Sequence, residues 1–168
     1  KGAVKAVQNI GGIANLTVVP EKINKVRAFD TGPGMSLIDE AVKLLTKGRM
    51  HYDVNGALAK KGKAITPLLD ELLSHPYFKI QPPKSTGRET FGNAMVKEII
   101  TGYGNASVED ILSTLTRFTA ISIQRAYRDF VFPEFKVAEI ILCGGGCKNK
   151  FLLTLLKDLL APVMLTPV

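Results

Sequence analysis

The sequence has no tryptophan and only two cysteines, and aromatic residues make up 7% of its 168 positions. The two thiols, Cys143 and Cys147, are too few for the disulfide framework of a small secreted domain. We therefore expect a reduced, cytoplasmic protein in which both cysteines are small packing residues. No apolar stretch approaches the roughly 20 residues of a membrane span, and no charged-then-apolar leader follows Lys1. These absences predict no membrane partner and no targeting segment.

An excess of basic residues raises the question of nucleic-acid binding. Lysine and arginine number 22 against 15 aspartate and glutamate residues, which gives a net charge of +7. The lysines are scattered singly, however, and the densest group (Lys60, Lys61 and Lys63) has no interleaved aromatic side chains on which bases could stack. We interpret the positive charge as a solvated surface and expect no nucleic-acid partner.

The order of the apolar patterns predicts an α/β fold with a mixed sheet. Three short β-branched segments separated by tight turns predict an antiparallel meander at the start, and a strand–turn–helix–strand unit follows at the end. The predicted strands are residues 4–10, 13–19, 26–29, 137–142 and 163–166, with Asp30 at the end of the third strand.

Helix-start signals mark the middle of the chain. The predicted N-terminal caps are Ser36, Thr66 and Ser107. Ser36 pairs with Asp39 in a capping-box pattern, and Pro67 follows Thr66 in the first turn. The predicted helices run from 36 to near 48, from 66 to 75, and over 92–100, 107–130 and 149–160.

Four glycine-bearing turns stand at predicted strand ends or helix starts, and the first is the hairpin corner from Asn9 to Asn15. Gly11 and Gly12 have no Cβ, so the backbone N–H groups of this turn could approach an anion closely. A hairpin that needs glycine only for its geometry explains the same residues. The spacing leaves both interpretations open.

The second turn, residues 29–34, follows the third predicted strand. Asp30 at a strand end would be a carboxylate held rigidly in a cleft, which suits a general base or a metal ligand. The competing interpretation is that Asp30 only caps the tight turn.

The third turn, residues 82–89, combines Lys84, Ser85 and Arg88 in a loop stiffened by prolines. Cations and hydroxyls together suit an anionic or polyhydroxylated ligand. An exposed polar loop would have the same composition.

The fourth turn has Gly144, Gly145 and Gly146 between a buried strand and a helix that starts at Asn149. Nucleotides bind at such turns in open α/β sheets, although these residues match neither a Walker loop nor a GxGxxG fingerprint. No histidine lies near the two cysteines that flank the glycines, so we expect no metal site there.

Six segments in a fixed order together resemble a known protein family, whereas no single turn is specific enough to do so. They are NIGGIANLT, FDTGPG, YDVNGALAKKGK, PKSTGRETF, TLTRFTA and CGGGCKN, which span the chain from Asn9 to Asn149. Together they resemble the anhydro-N-acetylmuramic acid kinases. That resemblance implies a ribonuclease H-like lobe of the actin and hexokinase type of ATPase fold, which is a mixed sheet flanked by helices.

The resemblance also implies an activity. Kinases of this family use ATP and water to open the 1,6-anhydro ring of an amino sugar and yield N-acetylmuramic acid 6-phosphate, a step of peptidoglycan recycling. The implied ligands are the amino sugar, ATP and Mg²⁺, the last two held mainly by a lobe that this chain does not contain. A homodimer is the candidate assembly.

Besides a general base at Asp30, the resemblance implies three groups of site residues. A phosphate-contacting turn would contain Asn9, Gly11 and Gly12. The adenosine would lie against Gly144, Gly145, Gly146 and Asn149. The substrate cleft would be lined by Lys84, Ser85 and Arg88.

The sequence departs from the family pattern at one position and in its extent. Met35 stands where family members usually have asparagine after the GPG turn. The N-terminal phosphate loop of the family, and its C-terminal acidic residue and helices, have no counterpart. We therefore expect residues 1–168 to be a single domain, most of the C-terminal lobe of a two-lobed sugar kinase, and inactive alone. The alternative is a non-catalytic nucleotide-binding or interaction domain of the same fold.

Overall fold

One five-stranded sheet organises the protein, and the computed structural model describes it together with the helices over residues 4–168. The strands are β1 (Val4–Ile10), β2 (Ile13–Val19), β3 (Arg27–Pro33), β4 (Val137–Cys143) and β5 (Met164–Pro167). The α-helices are α1 (Ser36–Leu45), α2 (Ala57–Lys61), α3 (Thr66–Leu73), α4 (Asn93–Gly102), α5 (Val108–Phe130) and α6 (Lys150–Leu160).

The sheet has the strand order β3-β2-β1-β4-β5. Strands β1, β2 and β3 form an antiparallel meander, whereas β4 runs parallel to both β1 and β5. The predicted meander and the predicted strand–helix–strand unit are thus both confirmed, as is the mixed α/β class. The parallel strands β1 and β4 end side by side, so the hairpin after β1 and the glycine turn after β4 meet at one edge of the sheet.

Helix α5 joins two apolar cores, because its two halves pack against different parts of the protein. The C-terminal half packs with α6 on one face of the sheet, where Ile123 and Tyr127 are fully buried. The N-terminal half packs against α1, α2 and α3, and Leu115 and Phe118 are fully buried there. The sheet and the helical region are therefore held together by one continuous 23-residue helix.

The start of α1 differs from the prediction. Met35, and not Ser36, is the N-terminal cap residue, and the Ser36 hydroxyl donates instead to the carbonyl of Phe91 at 2.7 Å. The hairpin explains the difference: the carbonyls of Gly11 and Gly12 accept the backbone N–H groups of Met35 and Ser36 at 2.8 and 3.0 Å. The hairpin therefore supplies acceptors for the cap residue and for the first helical residue of α1, two of the four N–H groups that a helix start leaves without an intrahelical partner.

Of the two other predicted caps, one is present in the structure and one is not. Ser107 caps α5 as predicted, since its hydroxyl oxygen accepts the N–H of Asp110 at 3.1 Å. The prediction of Thr66 as the cap of α3 is wrong, because Ile65 is the cap residue and Thr66 is already helical. Among the described residues, no helix is both long enough and apolar enough to cross a membrane.

Candidate functional site

A cavity of about 590 Å³ opens where the hairpin after β1 meets the glycine turn after β4. Four parts of the chain line it: the hairpin tip, α1, the loop before α2, and the start of α6, together with Arg88. The lining residues are Ile10, Gly11, Gly12, Met35, Asp39, His51, Tyr52, Asp53, Val54, Asn55, Arg88, Gly145, Lys148 and Asn149. Five of the residues proposed from sequence therefore share one cavity: Gly11, Gly12, Arg88, Gly145 and Asn149.

The hairpin tip presents its backbone to this cavity. The carbonyls of Gly11 and Gly12 are turned toward the start of α1, where they accept backbone N–H groups. In a trans peptide the N–H points opposite to the preceding carbonyl, so the N–H of Gly12 points away from α1. That N–H therefore takes no part in the contact between the hairpin and α1.

Arg88 lies directly against the hairpin at Gly12. A Cβ atom at Gly12 would be 2.9 Å from Nη2 of Arg88. The φ angle of Gly12 is outside the left-handed range, so a larger residue here would affect the position of Arg88 rather than strain the backbone. The hairpin thereby brings the Arg88 guanidinium, otherwise exposed, to the edge of the cavity.

Asp39 is a cavity residue to which the sequence patterns gave only a capping role. Burial raises the pKa of its carboxyl to about 6, and the positive charge of Arg88 acts in the opposite direction. The Oδ1 atom of Asp39 is buried and has no hydrogen-bond partner among the described residues. A half-buried carboxyl with a perturbed pKa in a cavity is typical of a functional position. Because Asp39 follows Ser36 in an S-x-x-D pattern, the sequence indicated a local capping role for it and did not indicate a position in a cavity.

The glycine turn after β4 is packed tightly against the end of β1. Gly144 has a φ of 90°, and a Cβ atom there would be 2.5 Å from Oδ1 of Asn9. Asn9, Gly144 and Gly146 therefore lie behind the cavity wall, whereas Gly145 lines it. The tight packing brings the strand ends close together.

Asn149 closes the far side of the turn and caps α6. Its Oδ1 accepts the N–H of Leu152 at 2.9 Å. The side chain is buried, and its Nδ2 atom has no hydrogen-bond partner among the described residues. An amide donor left unpaired in a cavity wall costs free energy unless a ligand or water accepts from it.

The loop before α2 forms the outer wall of the cavity. Asp53 holds it in place, because its two carboxylate oxygens accept the N–H groups of Leu58 and Ala59, both at 2.9 Å. Asn55 has a φ of 58° and Gly56 a φ of 69°, so the chain makes a left-handed turn against Asn149. His51 and Tyr52 are exposed at the cavity mouth.

Asp30 lies within β3 and not at its end, which corrects the prediction. The ladder shifts register between Ala14 and Asn15, so Thr31 is an extra residue and Gly32 and Pro33 continue to pair with β2. The Thr31 hydroxyl donates to the Ala14 carbonyl at 3.1 Å and stabilises this bulge. The strand therefore passes through Asp30 and ends at Pro33.

The loop from Lys84 to Thr86 runs along Asp30 and holds it on two sides. The Asp30 N–H donates to the Lys84 carbonyl at 3.1 Å, and the Thr86 N–H donates to Oδ2 of Asp30 at 3.0 Å. The Tyr77 hydroxyl donates to the Asp30 carbonyl at 2.7 Å. Burial, and secondarily the Asp30 charge, raises the pKa of Tyr77, so Tyr77 stays protonated as this donor.

Lys84 and Ser85, both expected at the cleft, have different environments. Lys84 is only 9% exposed, and its Nζ donates to the Tyr77 carbonyl at 3.3 Å. The ammonium also lies 4.6 Å from the ring centre of Tyr77 and 4.8 Å from that of Phe130. Burial lowers the pKa of Lys84, partly offset by the charge of Asp129. Ser85 is exposed beside Thr86, and neither Lys84 nor Ser85 lines the cavity.

Residues 4–168 contain no group of three or more His, Cys, Asp or Glu side chains placed to hold a metal ion. Cys143 and Cys147 are free thiols and half-buried, and burial raises the pKa of Cys147. The Sγ atom of Cys143 lies 3.8 Å from Oδ1 of Asn9.

Comparison with known proteins places the chain in a family. The family model described as anhydro-N-acetylmuramic acid kinase matches residues 1–168. The chain belongs to this family. The relative from Francisella tularensis subsp. novicida (strain U112) is 48% identical over 168 residues, covering 99% of this chain and 44% of the relative. The relative from Bacillus cereus (strain G9842) is 45% identical over 155 residues, covering 91% of this chain and 40% of the relative. Both carry the name anhydro-N-acetylmuramic acid kinase, and the chain spans about two fifths of their length.

Two solved structures share the fold at low sequence identity. One is component A of the (R)-2-hydroxyglutaryl-CoA dehydratase of Acidaminococcus fermentans, with a TM-score of 0.59 and 15% identity, covering 97% of this chain and 54% of that one. The other is the activator of the 2-hydroxyisocaproyl-CoA dehydratase of Clostridium difficile with bound ADPNP, with a TM-score of 0.56 and 12% identity, covering 98% and 54%. The fold is that of the actin and hexokinase type of ATPase.

Proposed function

We propose that this chain supplies the general base and one wall of the nucleotide site of an ATP-dependent anhydro-N-acetylmuramic acid kinase. Family membership supports the substrate class. One observation supports the assignment to these residues: the hairpin tip, the glycine turn and Arg88 line one cavity. Asp30 lies two strands away from Asn9 on the same sheet, about 10 Å at the usual strand spacing.

The reaction joins a hydration to a phosphoryl transfer. Water attacks the anomeric carbon C1, the C1–O6 bond of the anhydro ring breaks, and O6 takes the γ-phosphoryl group of ATP as ADP leaves. The proton of the water passes to Asp30. A carboxylate fixed by the Thr86 N–H and by its own backbone hydrogen bonds can orient the water and accept its proton with little reorganisation.

The cavity is the proposed place for part of the ATP molecule. Its cations Arg88 and Lys148, with the N–H of Gly12, suit phosphate oxygens. The unpaired Nδ2 of Asn149 would find an acceptor on the nucleotide. The Clostridium difficile protein of the same fold, which has bound ADPNP, supports nucleotide binding by this kind of lobe.

The residues of the cavity do not form a cage for Mg²⁺. Both oxygens of Asp53 are occupied by backbone N–H groups, and Asp39 has the Arg88 guanidinium in its vicinity. Mg²⁺ usually takes few protein carboxylates and keeps water and substrate phosphates as ligands. We therefore assign it no ligand in this chain and derive no step through it.

The remaining part of the proposed enzyme lies outside these residues. Residues 1–168 would form most of the C-terminal lobe, and a second lobe with a phosphate loop would complete the cleft, since phosphoryl transfer needs groups on both sides. We propose the cytoplasm, where ATP is available, as the site of the reaction. Assembly as a homodimer stays a prediction.

The test uses the full-length protein that contains this chain. Incubation with ATP, Mg²⁺ and 1,6-anhydro-N-acetylmuramic acid should yield ADP and N-acetylmuramic acid 6-phosphate in equal amounts, measured by coupled ADP release and by mass spectrometry of the sugar. ATP binding without sugar phosphorylation would contradict the proposal and favour a non-catalytic nucleotide-binding domain. Phosphorylation of N-acetylmuramic acid that is already hydrated, with no action on the anhydro sugar, would also contradict it.

A further inference from the structure

Four polar side chains form a row across the sheet, one on each of four neighbouring strands. Cys143 on β4 is paired with Asn9 on β1, Asn9 with Asn15 on β2, and Asn15 with Asp30 on β3. Directly opposite residues in a sheet have Cβ atoms about 5 Å apart. The row therefore leads from the proposed general base to the glycine turn after β4.

The row lies on the sheet face opposite to α5 and α6. Neighbouring residues on the four strands, such as Ile10, Leu16, Phe29 and Leu142, are buried in the core beneath those helices. Because side chains alternate between the two faces of a strand, the residues of the row point the other way. Asn9, Asn15, Asp30 and Cys143 are accordingly only half-buried.

A buried glutamine on the core side supports the centre of the row. Gln8 is completely buried, and its Nε2 donates to the carbonyls of Asn9 and Asn15 at 3.2 and 3.0 Å. A buried amide donor in an apolar core is costly unless it is hydrogen-bonded, and Nε2 has two acceptors here, whereas Oε1 has no partner among the described residues. Here it links the two strands at the point where Asn9 and Asn15 face each other, which stabilises the alignment of the row.

The Asn15 side chain does not stabilise the described part of the fold through a hydrogen bond. It makes no hydrogen bond within residues 4–168, and it stands beside Asp30, whose Oδ2 already accepts from Thr86. An amide offers both a donor and an acceptor. Asn15 can therefore contact the same ligand group as the free oxygen of Asp30.

We propose that Asn15 is the second residue that holds the attacking water. This inference rests on the proposed function. The water donates one hydrogen to Asp30, and its other hydrogen needs an acceptor if a lone pair is to point steadily at C1. The Oδ1 of Asn15, next to Asp30 in the row, is that acceptor. When the water oxygen bonds to C1 and the C1–O6 bond breaks, the proton moves to Asp30 and Asn15 stays unchanged.

Three variants of the full-length enzyme test this role. Asn15→Ala removes the acceptor and should lower kcat by about 10- to 100-fold at every pH while the KM for ATP stays within about twofold. Asn15→Asp keeps an acceptor oxygen but sets a second carboxylate beside Asp30, which raises the pKa at which Asp30 titrates. The acid limb of kcat against pH should therefore move up by about one unit, and kcat should recover above it. Thr17→Asp, on the same face two residues along β2 and diagonal to Asp30 at about 7–8 Å, is the control and should move the limb clearly less than Asn15→Asp does.

The outcomes separate this inference from the proposed function. An active wild-type enzyme whose Asn15→Ala variant keeps kcat within about twofold overturns the role of Asn15 and leaves the function standing. An unmoved acid limb in Asn15→Asp overturns it as well. A wild-type enzyme that does not act on the anhydro sugar removes the proposed function, and the role of Asn15 falls with it. Circular dichroism melts of each variant show whether a loss of kcat reflects unfolding.

Discussion

The backbone N–H of Thr86 donates to Oδ2 of Asp30 at 3.0 Å, across a separation of 56 residues. The neighbouring Lys84 carbonyl accepts the N–H of Asp30 itself. Residues 84–86 thus run beside β3 almost as a further strand would, and they fix both the backbone and the carboxylate of Asp30. One carboxylate oxygen is occupied by the protein, which leaves the other for a ligand.

Asp30→Asn in the full-length enzyme should lower kcat by about 10²–10⁴-fold, the usual contribution of a general base. Asparagine has nearly the same shape and keeps an acceptor for the Thr86 N–H, so the loop and the binding of ATP and sugar should survive. The measurements are kcat by coupled ADP release and sugar affinity by calorimetry.

A structural role for Asp30 predicts a different result. If Asp30 only fixed the loop, Asn would replace it at little cost, because an amide oxygen can accept the same hydrogen bond. A variant that keeps more than about a tenth of the wild-type kcat would therefore remove the catalytic assignment. The matching variant is Thr86→Pro, because proline has no N–H and so removes the donor of the hydrogen bond to Asp30 and leaves the carboxylate in place.

Gly12→Ala should raise the KM for ATP by about 10- to 100-fold, the range for losing a charge-assisted hydrogen bond. The new Cβ would lie 2.9 Å from Nη2 of Arg88, so the guanidinium must shift from the position in which we propose that it meets the phosphates. The flexible arginine can move, and the melting temperature should change little.

A double-mutant cycle isolates this effect. Arg88→Ala alone should raise the KM for ATP to a similar extent, and adding Gly12→Ala should have little further effect, because the displaced group is already absent. Additive losses in the double variant would mean that Gly12 acts on the nucleotide directly and not through Arg88.

The sheet was predictable because its signals are local. Alternating apolar residues and glycine-bearing turns gave β1, β2 and β4 within a residue of their bounds, and the paired Ser107–Asp110 spacing gave the start of α5. Periodicity and capping both involve residues that are only a few positions apart, so they can be recognised from the sequence alone.

Much of the candidate site could not be predicted because distant segments meet there. The S-x-x-D pattern at Ser36 suggested a cap, but the Ser36 N–H donates to the Gly12 carbonyl of the β1–β2 hairpin, more than 20 residues earlier, and its hydroxyl donates to the Phe91 carbonyl. Asp39 was thereby freed to line the cavity. The bulge at Thr31, likewise, depends on the register of β2 and cannot be read from the β3 sequence alone.

Lys84→Met should lower the melting temperature and leave the KM values for ATP and sugar within about twofold. Its ammonium is enclosed by the rings of Tyr77 and Phe130 and bonded to the Tyr77 carbonyl, and such contacts are worth about 0.5–2 kcal/mol. Arg88→Met is the matched control, with the opposite pattern of a raised KM and a nearly unchanged melting temperature. A large rise in the sugar KM of Lys84→Met would return Lys84 to the substrate cleft.

Asp39→Asn should stabilise the ligand-free, full-length protein at pH 7.5, and this gain should disappear near pH 4. Burial raises the pKa of Asp39 to about 6 from an ordinary 3.8, against the opposing effect of Arg88. Between these two values the folded protein binds a proton that the unfolded chain does not, so the contribution of this group to stability increases as the pH falls through the window. Above pH 6 the charged carboxylate is destabilising, and a neutral amide removes that penalty.

Thermal unfolding of wild type and variant at half-unit steps from pH 4 to pH 8 measures this effect, and Asp53→Asn serves as the control. Both oxygens of Asp53 accept backbone N–H groups, so its replacement should lower the melting temperature at pH 7.5 instead of raising it. A melting-temperature difference for Asp39→Asn that is the same at pH 4 and pH 7.5 would mean that the Asp39 carboxylate carries no burial penalty. In that case the attraction between Asp39 and Arg88 would equal the cost of burying the Asp39 carboxylate. Saturating ATP should compete with Asp39 for Arg88. The melting temperature of wild type would then fall relative to that of Asp39→Asn when ATP is added.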